Sequence, residues 1–213
     1  MILRNSYKLL TPHLKNKQVT VITGMRRVGK TTAVQFLLEQ VKHDNKLYLD
    51  CEQIEIRSLF NSQNYKSIIE ELHLMGLDFS KPCLIALDEI QLVENLPSVI
   101  KYIYDTYNVK FIVTGSSSYY IKNRFSESLA GRKRIFEMYP LSFSEFLQFK
   151  KINITNIAEY SWQKFNSAWY NRCYQFYEEY IRFGGFPEVV LQKKISDKKA
   201  LLKDVINSYI DLD

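Results

Sequence analysis

The sequence has little of what several classes of protein require. Its three cysteines, Cys51, Cys83 and Cys173, lie far apart without CxxC spacing, so we expect reduced, structural thiols and no disulfide framework. Its three histidines are scattered as well, and no metal-ligand cluster can be read from them. Glycine is also scarce, with seven among 213 residues.

Long hydrophobic runs are absent too. No run approaches the roughly 20 apolar residues that a membrane-spanning helix needs, and the first residues lack the layout of a signal peptide. We therefore expect a cytoplasmic protein without a membrane partner. A hydrophobic fraction of 46% argues against disorder, and the length suits one α/β domain with a small second one.

The chain is basic, with a net charge of +6, which permits an anionic partner such as DNA without requiring one. The densest basic zone is 110–134, within which 122–134 is the candidate DNA contact. The zone 110–134 holds six cations and one acid: Lys110, Lys122, Arg124, Arg132, Lys133, Arg134 and Glu127. The many aromatic residues can stack on bases, although aromatics more often serve a core or an interface.

One stretch combines the features of a phosphate-binding loop. An apolar run at 19–23 predicts a strand, the segment from Gly24 to Gly29 predicts a tight loop, and a helical pattern starts at Lys30. Glycines let the backbone N–H groups approach a polyphosphate, and the helix directs its free N–H groups and positive dipole end at it. The eight predicted nucleotide-binding residues are Gly24, Arg26, Arg27, Val28, Gly29, Lys30, Thr31 and Thr32. Lys30 is expected to reach the β and γ oxygens, and Thr31 to ligate Mg²⁺.

A second stretch supplies acids. The unbroken apolar run that starts at Cys83 predicts a strand buried on both faces, and Asp88 and Glu89 follow at its carboxyl end. Ligands of open α/β sheets collect at that edge. We expect Asp88 to bind Mg²⁺, directly or through water, and Glu89 to orient or deprotonate an attacking water.

A third apolar strand is predicted at 110–114, between the two strands already described. Thr114 or Ser116 at its end could hydrogen-bond the γ-phosphate or the water; the alternative is an ordinary cap for a helix starting at Tyr119. No Asn-Lys-x-Asp segment reads guanine, so ATP is favoured over GTP. A kinase would need an acceptor site and a mobile lid, and the sequence shows no clear lid of that kind.

The rest of the chain predicts helix boundaries and a second, helical subdomain. Thr11-Pro12 is expected to break a first short helix, and Ser142 or Ser144 to cap a later one. From 151 the aromatics fall at helical spacing, notably Trp169, Cys173, Phe176, Tyr180 and Phe183. We expect an ATPase core over 1–150 and a helical lid subdomain over 151–213.

Six segments, taken together and in this order, resemble the prokaryotic AAA+-like P-loop ATPases, whose ATPase domain is usually followed by a restriction-endonuclease-like domain that is absent here. They are Gly24–Thr32, Leu87–Gln91, Thr114–Ser117, Leu129–Arg132, Tyr139–Phe146 and Gly184–Glu188. The resemblance covers essentially the whole chain. It implies an α/β fold with a parallel sheet of five strands, the phosphate-loop strand central, and a helical lid.

The resemblance also implies ATP hydrolysis with Mg²⁺. Lys30 and Thr31 match the family's phosphate and metal positions, Asp88 and Glu89 its metal and water positions, and Ser116 its polar sensor. Arg132 matches a Gly-Arg motif, which by analogy with oligomeric ATPases would contact a neighbour's γ-phosphate in a homo-oligomer. A structural salt bridge or a contact to a phosphate backbone is the alternative for Arg132. Family chains continue past this length, so a fragment of a longer protein is an open possibility.

Three hypotheses for function follow. In the first, ATP hydrolysis drives a conformational change, with DNA as a candidate substrate. In the second, the protein is a nucleotide-gated binding module or regulatory switch with negligible turnover. The third, a small-molecule kinase, requires ATP loss to depend on an added acceptor.

Overall fold

The computed structural model describes residues 2–116, 129–152 and 167–210. By backbone proximity the chain divides into two compact units. The sheet unit comprises Ser6–Met25 and Gly29–Met138, and the helical unit comprises Met1–Asn5, Arg26–Val28 and Tyr139–Asp213. The expected domain boundary at residue 150 stays a prediction.

Over its described residues, the sheet unit contains five strands that all pair in parallel, as predicted. They are β1 (Val19–Gly24), β2 (Lys46–Asp50), β3 (Cys83–Asp88), β4 (Val109–Gly115) and β5 (Lys133–Met138). Their order is β2-β3-β4-β1-β5, so β4 lies between β1 and β3 as expected. Strand β1 is interior, but the middle of the five positions belongs to β4.

Helices cover the sheet because its inner strands are apolar on both faces. They are α1 (Tyr7–His13), α2 (Lys30–Gln40), α3 (Ile54–Asn61), α4 (Tyr65–Leu74) and α5 (Leu96–Thr106), with a 3₁₀ turn at Ile90–Leu92. Alternate strand residues such as Ile85 and Phe111 share one core with α3, α4 and α5. Helix α2 contacts β1 and β4, and α1 packs on α2 through the stacked rings of Tyr7 and Phe36.

The first helix corrects a prediction, because α1 continues through Thr11 and Pro12 to His13. Proline removes one N–H donor and crowds the carbonyl four residues earlier, which is costly within a long helix. In this seven-residue helix the proline is next to the last position, so little helix remains to be disturbed. The helix then ends in a turn whose hydrogen bonds join residues three apart instead of four. They run from the Leu14 N–H to the Thr11 carbonyl (3.2 Å) and from the Lys15 N–H to the Pro12 carbonyl (3.3 Å).

The parallel register places the carboxyl ends of the strands at one edge of the sheet. Asp50 lies opposite Asp88, and Thr23 lies opposite Gly115. The residues that follow β1, β3 and β4 therefore start from the same edge, as the sequence predicts.

The helical unit contains α6 (Phe143–Phe149), α7 (Ser167–Phe183), α8 (Pro187–Leu191) and α9 (Ile195–Ile210). Its core joins α6, α7 and α8 through Leu141, Phe146, Leu147, Cys173 and Val190, with Phe176 and Tyr180 against it. This confirms the helical spacing predicted for α7.

Some sequence predictions lie outside the described residues. They concern Ser117, the helix expected from Tyr119, and the charged residues Lys122, Arg124 and Glu127. The side chain of Trp169 lies outside them as well. Over the described part of the chain, no helix combines the length and the apolar character needed to cross a membrane.

Candidate functional site

The loop after β1 has the backbone that its glycines predict. Gly24 ends β1 with φ +145°, and Gly29, with φ +96°, precedes the first residue of α2. A Cβ atom on Gly24 would lie 2.2 Å from the carbonyl oxygen of Met138, which belongs to the paired strand β5. Only glycine can therefore occupy position 24 without moving the backbone.

Lys30 is buried at the start of α2, with 5% of its surface exposed. Its Nζ donates to the carbonyls of Gly24 (3.1 Å) and Met25 (3.0 Å) and to Ser116 Oγ (2.9 Å). These contacts hold the ammonium beside Gly24, the last residue of β1, and beside Met25, which follows it. Thr31 and Thr32 follow in the first turn of α2, and both are exposed.

Asp88 is buried at the end of β3, with 2% of its surface exposed. The Thr114 hydroxyl donates to its Oδ1, and the Tyr48 hydroxyl donates to its Oδ2 at 2.9 Å. Burial, and next the negative charge of Asp88, raise the pKa of Tyr48, so this hydroxyl keeps its proton and remains a donor. Two neutral donors from the strands on either side thus fix the carboxylate in place.

Glu89 stays at the same edge because its backbone turns sharply. In an extended strand the side chains of Asp88 and Glu89 would point to opposite faces. Glu89 instead has φ +52°, a left-handed conformation that is uncommon for residues other than glycine. Its N–H donates to Asp88 Oδ1 and to Thr114 Oγ1, each at 3.2 Å.

Ser116 connects this carboxylate to the lysine. Its hydroxyl lies 3.1 and 3.2 Å from the two Glu89 oxygens and accepts from Lys30 Nζ. Gln91 braces the pair, since its Nε2 donates to Glu89 Oε2 and its Oε1 accepts from the Ser116 N–H at 3.3 Å. The structure therefore joins Lys30, Ser116 and Glu89, which the sequence predicts as functional residues, in one hydrogen-bonded chain.

Arg132 lies elsewhere. It precedes β5, at the amino end of the strand, whereas the loop follows the carboxyl end of β1. Five residue steps along β5 correspond to about 17 Å. The guanidinium contacts both carboxylate oxygens of Asp105, at 2.9 and 3.1 Å. The structure does not bring Arg132 to its own chain's loop, and its contact with a neighbour's phosphate stays a prediction.

The middle of the loop belongs to the helical unit. Arg26 donates to the carbonyl of Ser208 at 3.1 Å, and Arg27 pairs with Glu188 at 3.5 Å. The carbonyl of Val28 accepts from the Arg4 guanidinium at 2.9 Å. Contacts within this unit thus engage each of these three loop residues.

Sequence reasoning gave no role to Tyr48, Gln91 or Arg4. A signal existed for Gln91, which follows the acid pair by two residues. None existed for Tyr48, because its contact with Asp88 depends on β2 pairing beside β3. Arg4 carries no signal either, since its partners lie far along the chain.

Comparison with known families agrees with this arrangement. A family model described as an AAA domain matches residues 16–147, more than half of the chain. An uncharacterized protein of Methanocaldococcus jannaschii is 28% identical over 194 residues, covering 91% of this chain and 40% of that protein. An uncharacterized protein of Haemophilus influenzae is 26% identical over 216 residues, covering 99% and 50%. The chain thus spans half or less of the length of these two curated relatives.

Among solved structures, the Walker-type ATPase of Pyrococcus abyssi is similar in fold, with a TM-score of 0.59 and 17% identity. The similarity covers 100% of this chain and 73% of that one. At this identity the likeness concerns the fold. The matched model, the parallel sheet and the phosphate-type loop lead to one conclusion: the chain belongs to the AAA domain family and has the fold of the P-loop ATPases.

Proposed function

We propose that this domain binds ATP with Mg²⁺ and hydrolyses it. One observation carries the proposal: Ser116 links Lys30, the lysine of the phosphate loop, to the carboxylate of Glu89. A cation for the phosphates and a base for water are the two groups that hydrolysis of a phosphoanhydride requires. A polar residue between them would respond to the γ-phosphate.

In this proposal the loop and Lys30 bind the polyphosphate. The backbone N–H groups from Gly24 to Thr32 and the start of α2 supply donors and the positive end of a helix dipole. The ammonium of Lys30 already lies beside the loop carbonyls, so a bound phosphate would compete for it. That positive charge would favour the negative β and γ oxygens.

The residues present suit Mg²⁺ at Asp88. This carboxylate is buried, and within the described residues it forms no ion pair with a lysine or arginine. A buried negative charge with neutral donors alone is costly, and a hard cation with oxygen ligands would compensate it. The exposed hydroxyl of Thr31 would be the second protein ligand. The ion would supply neutralisation of phosphate charge.

Glu89 is the proposed partner of the attacking water. A carboxylate that accepts from Ser116 and Gln91 has a fixed orientation, and its remaining lone pairs are free to accept from water. General-base catalysis of this kind contributes about 10²- to 10⁴-fold in rate.

The coupling to conformational change has its own support. Arg26 and Arg27 bind the Ser208 carbonyl and Glu188, and the Val28 carbonyl accepts from Arg4. A change of these loop residues on binding ATP would act on those contacts. In this proposal residues 151–213 serve as the helical lid. The same contacts would serve a regulatory switch with negligible turnover. Such a switch would differ only in the rate of ATP hydrolysis with Glu89 as the base.

Action on DNA is proposed on charge alone. Among the described residues the zone 122–134 contributes the cations Arg132, Lys133 and Arg134, and Arg132 pairs with Asp105. Binding there would weaken steeply as salt rises. We also propose a homo-oligomer, in which Arg132 would face a neighbour.

Phosphate release from ATP with Mg²⁺ tests the function. We expect turnover by the wild type, loss of ATP binding in Lys30→Ala, and retained binding with at least about 100-fold slower turnover in Glu89→Gln. The exposed Glu94, five residues further on, gives the matched control: Glu94→Gln should leave turnover unchanged. Adding DNA to each reaction at two salt concentrations tests the DNA proposal.

The outcomes separate the hypotheses. ATP binding without turnover would favour the switch, and ATP loss that requires an added acceptor would favour a kinase. Full turnover in Glu89→Gln would overturn the assignment of this carboxylate. Absence of ATP binding by the wild type would overturn the proposal altogether.

A further inference from the structure

Arg4 is a buried guanidinium that contacts the phosphate loop. Only 6% of its surface is exposed. It binds Glu145 through Nε at 2.9 Å and through Nη2 at 3.4 Å. Its Nη1 donates to the Val28 carbonyl at 2.9 Å, and Nη2 also donates to the Tyr139 carbonyl at 2.9 Å. All of these partners belong to the helical unit.

The Val28 carbonyl is a sensitive place for such a contact. It belongs to the peptide group that joins Val28 to Gly29, the last residue before α2. A trans peptide is planar, so the Gly29 N–H points opposite to the Val28 carbonyl. Glycine offers little steric resistance to rotation of the neighbouring peptide, so the loop alone does not fix this direction.

Arg4 can fix that direction because it is itself held rigidly. Its partner Glu145 also accepts from the backbone N–H groups of Asn5 (2.8 Å) and Ser142 (2.9 Å). Burial alone would raise the pKa of Glu145, but the bonds from Arg4, Ser142 and Asn5 outweigh it and lower that pKa, so the carboxylate stays ionised. Each of the three guanidinium nitrogens has an acceptor, and this restricts the orientation of the planar fork.

The pairing with Glu145 also limits what Arg4 can do. Its charge is compensated by a carboxylate at 2.9 Å, and its side chain is buried. It is therefore unsuited to bind phosphate directly. What remains is its effect on the loop backbone.

We propose that Arg4 is a positioning residue of the phosphate loop: by holding the Val28 carbonyl, it keeps the Gly29 N–H turned toward the bound phosphates. This inference rests on the proposed function, because it presumes that the loop binds nucleotide. It adds a residue about 20 positions before the loop to the machinery of binding.

The test compares Arg4→Lys with the wild type. A lysine keeps the positive charge beside buried Glu145, so the fold is retained, but its single ammonium cannot serve both Glu145 and Val28 with the geometry of the guanidinium. We expect ADP, with Mg²⁺, to bind about tenfold more weakly, since one N–H···phosphate bond is misaligned. ADP is used because its binding does not depend on hydrolysis.

A spectroscopic readout separates positioning from a general structural effect. In protein labelled with ¹⁵N-glycine, seven amide signals are expected, and Gly29→Ala assigns that of Gly29. The signal should move downfield on addition of ADP in the wild type and fail to do so in Arg4→Lys. Arg57→Lys, which makes the same exchange in α3 at a residue whose guanidinium donates to the Glu52 carbonyl, is the matched control and should keep both the shift and an affinity within threefold.

A double variant covers a failure of folding. Arg4→Met alone would leave the Glu145 charge buried without a partner, whereas Arg4→Met with Glu145→Gln removes both charges together. It should show the same loss of ADP affinity and of the Gly29 shift. If the Arg4 variants bind ADP as the wild type does, with the Gly29 shift intact, the inference is overturned while the proposed function stands. If the wild type itself does not bind ADP, both fall.

Discussion

Among the described glycines, Gly24 combines a positive φ with the shortest approach of an added Cβ to the backbone. Its φ of +145° is strained for any other residue, and an added Cβ would lie 2.2 Å from the Met138 carbonyl oxygen, which paired strands hold in place. Gly24→Ala is therefore expected to lower the free energy of unfolding by more than about 2 kcal/mol and to abolish ATP binding. Urea unfolding and nucleotide titration measure the two effects.

Gly76 provides the matched control for that prediction. Its φ is +103°, but an added Cβ would meet no atom within 4 Å. Gly76→Ala thus isolates backbone strain, about 1 kcal/mol, from steric collision. Equal losses of stability in the two variants would contradict the role assigned to Met138.

At the residue scale, the structure places several of the predicted site residues where the sequence puts them, while their roles stay predictions. Lys30 follows its loop, and Asp88 and Glu89 follow their strand, because covalent order alone places them at one sheet edge. The φ of +52° that keeps Glu89 beside Asp88 could not be predicted, since no glycine marks it. It depends on bonds to Thr114 and Ser116, which a different strand supplies.

At the scale of elements, helix α6 shows a complete capping box. The Ser142 hydroxyl accepts from the Glu145 N–H at 3.3 Å, and the Glu145 carboxylate accepts from the Ser142 N–H at 2.9 Å. The sequence left the cap open between Ser142 and Ser144, and the structure assigns it to Ser142.

We expect Ser142→Ala to lower the free energy of unfolding by about 1 kcal/mol, because one N–H at the start of α6 would lose its acceptor. Ser144→Ala is the control and should change stability by less than about 0.5 kcal/mol, because the Ser144 hydroxyl caps no N–H. Chemical denaturation of both variants measures the difference. A larger loss at Ser144 would contradict the assignment of the cap.

Other elements show where patterns are sufficient and where they fail. Strands β3 and β4 were predictable because burial on both faces leaves continuous apolar runs. Helix α7 was predictable from spacing, which places Cys173 and Phe183 on its buried side. Helix α1 was misjudged at Pro12, because the cost of a proline depends on how much helix follows it.

The response of the whole molecule to acid offers a further prediction. His13 is buried against Phe136, with Nδ1 2.8 Å from Thr20 Oγ1. Burial, and next the charges of Lys110 and Arg134, lower the pKa of His13 below its usual 6.5. The unfolded chain therefore binds a proton first as the pH falls, so stability present above pH 6.5 is lost below it.

We expect the free energy of unfolding to fall between pH 7 and 5, with a contribution from His13 of at most about 1.4 kcal/mol per pH unit. His13→Gln should flatten the curve over that range, whereas His43→Gln, which replaces an exposed histidine, should leave it unchanged. Urea midpoints measured at several pH values test this. Parallel curves for the wild type and His13→Gln would show that His13 has no part in it.

By itself the sequence determined the α/β class, the phosphate-type loop and the acids at the end of β3. These follow from residues that are neighbours along the chain and from the periodicity of burial. They are local properties, and a single sequence records them directly.

Only the tertiary structure decided which side chains meet. It joined Ser116 to Lys30 and Glu89, paired Arg132 with Asp105, and placed Arg4 on Val28 and Glu145, which are 24 and 141 residues away. Such contacts depend on the packing of distant elements and on the burial of charge, which a linear pattern does not encode. The residues of the loop and its place after β1 were therefore predictable from the sequence, whereas the residues that hold it in position were not.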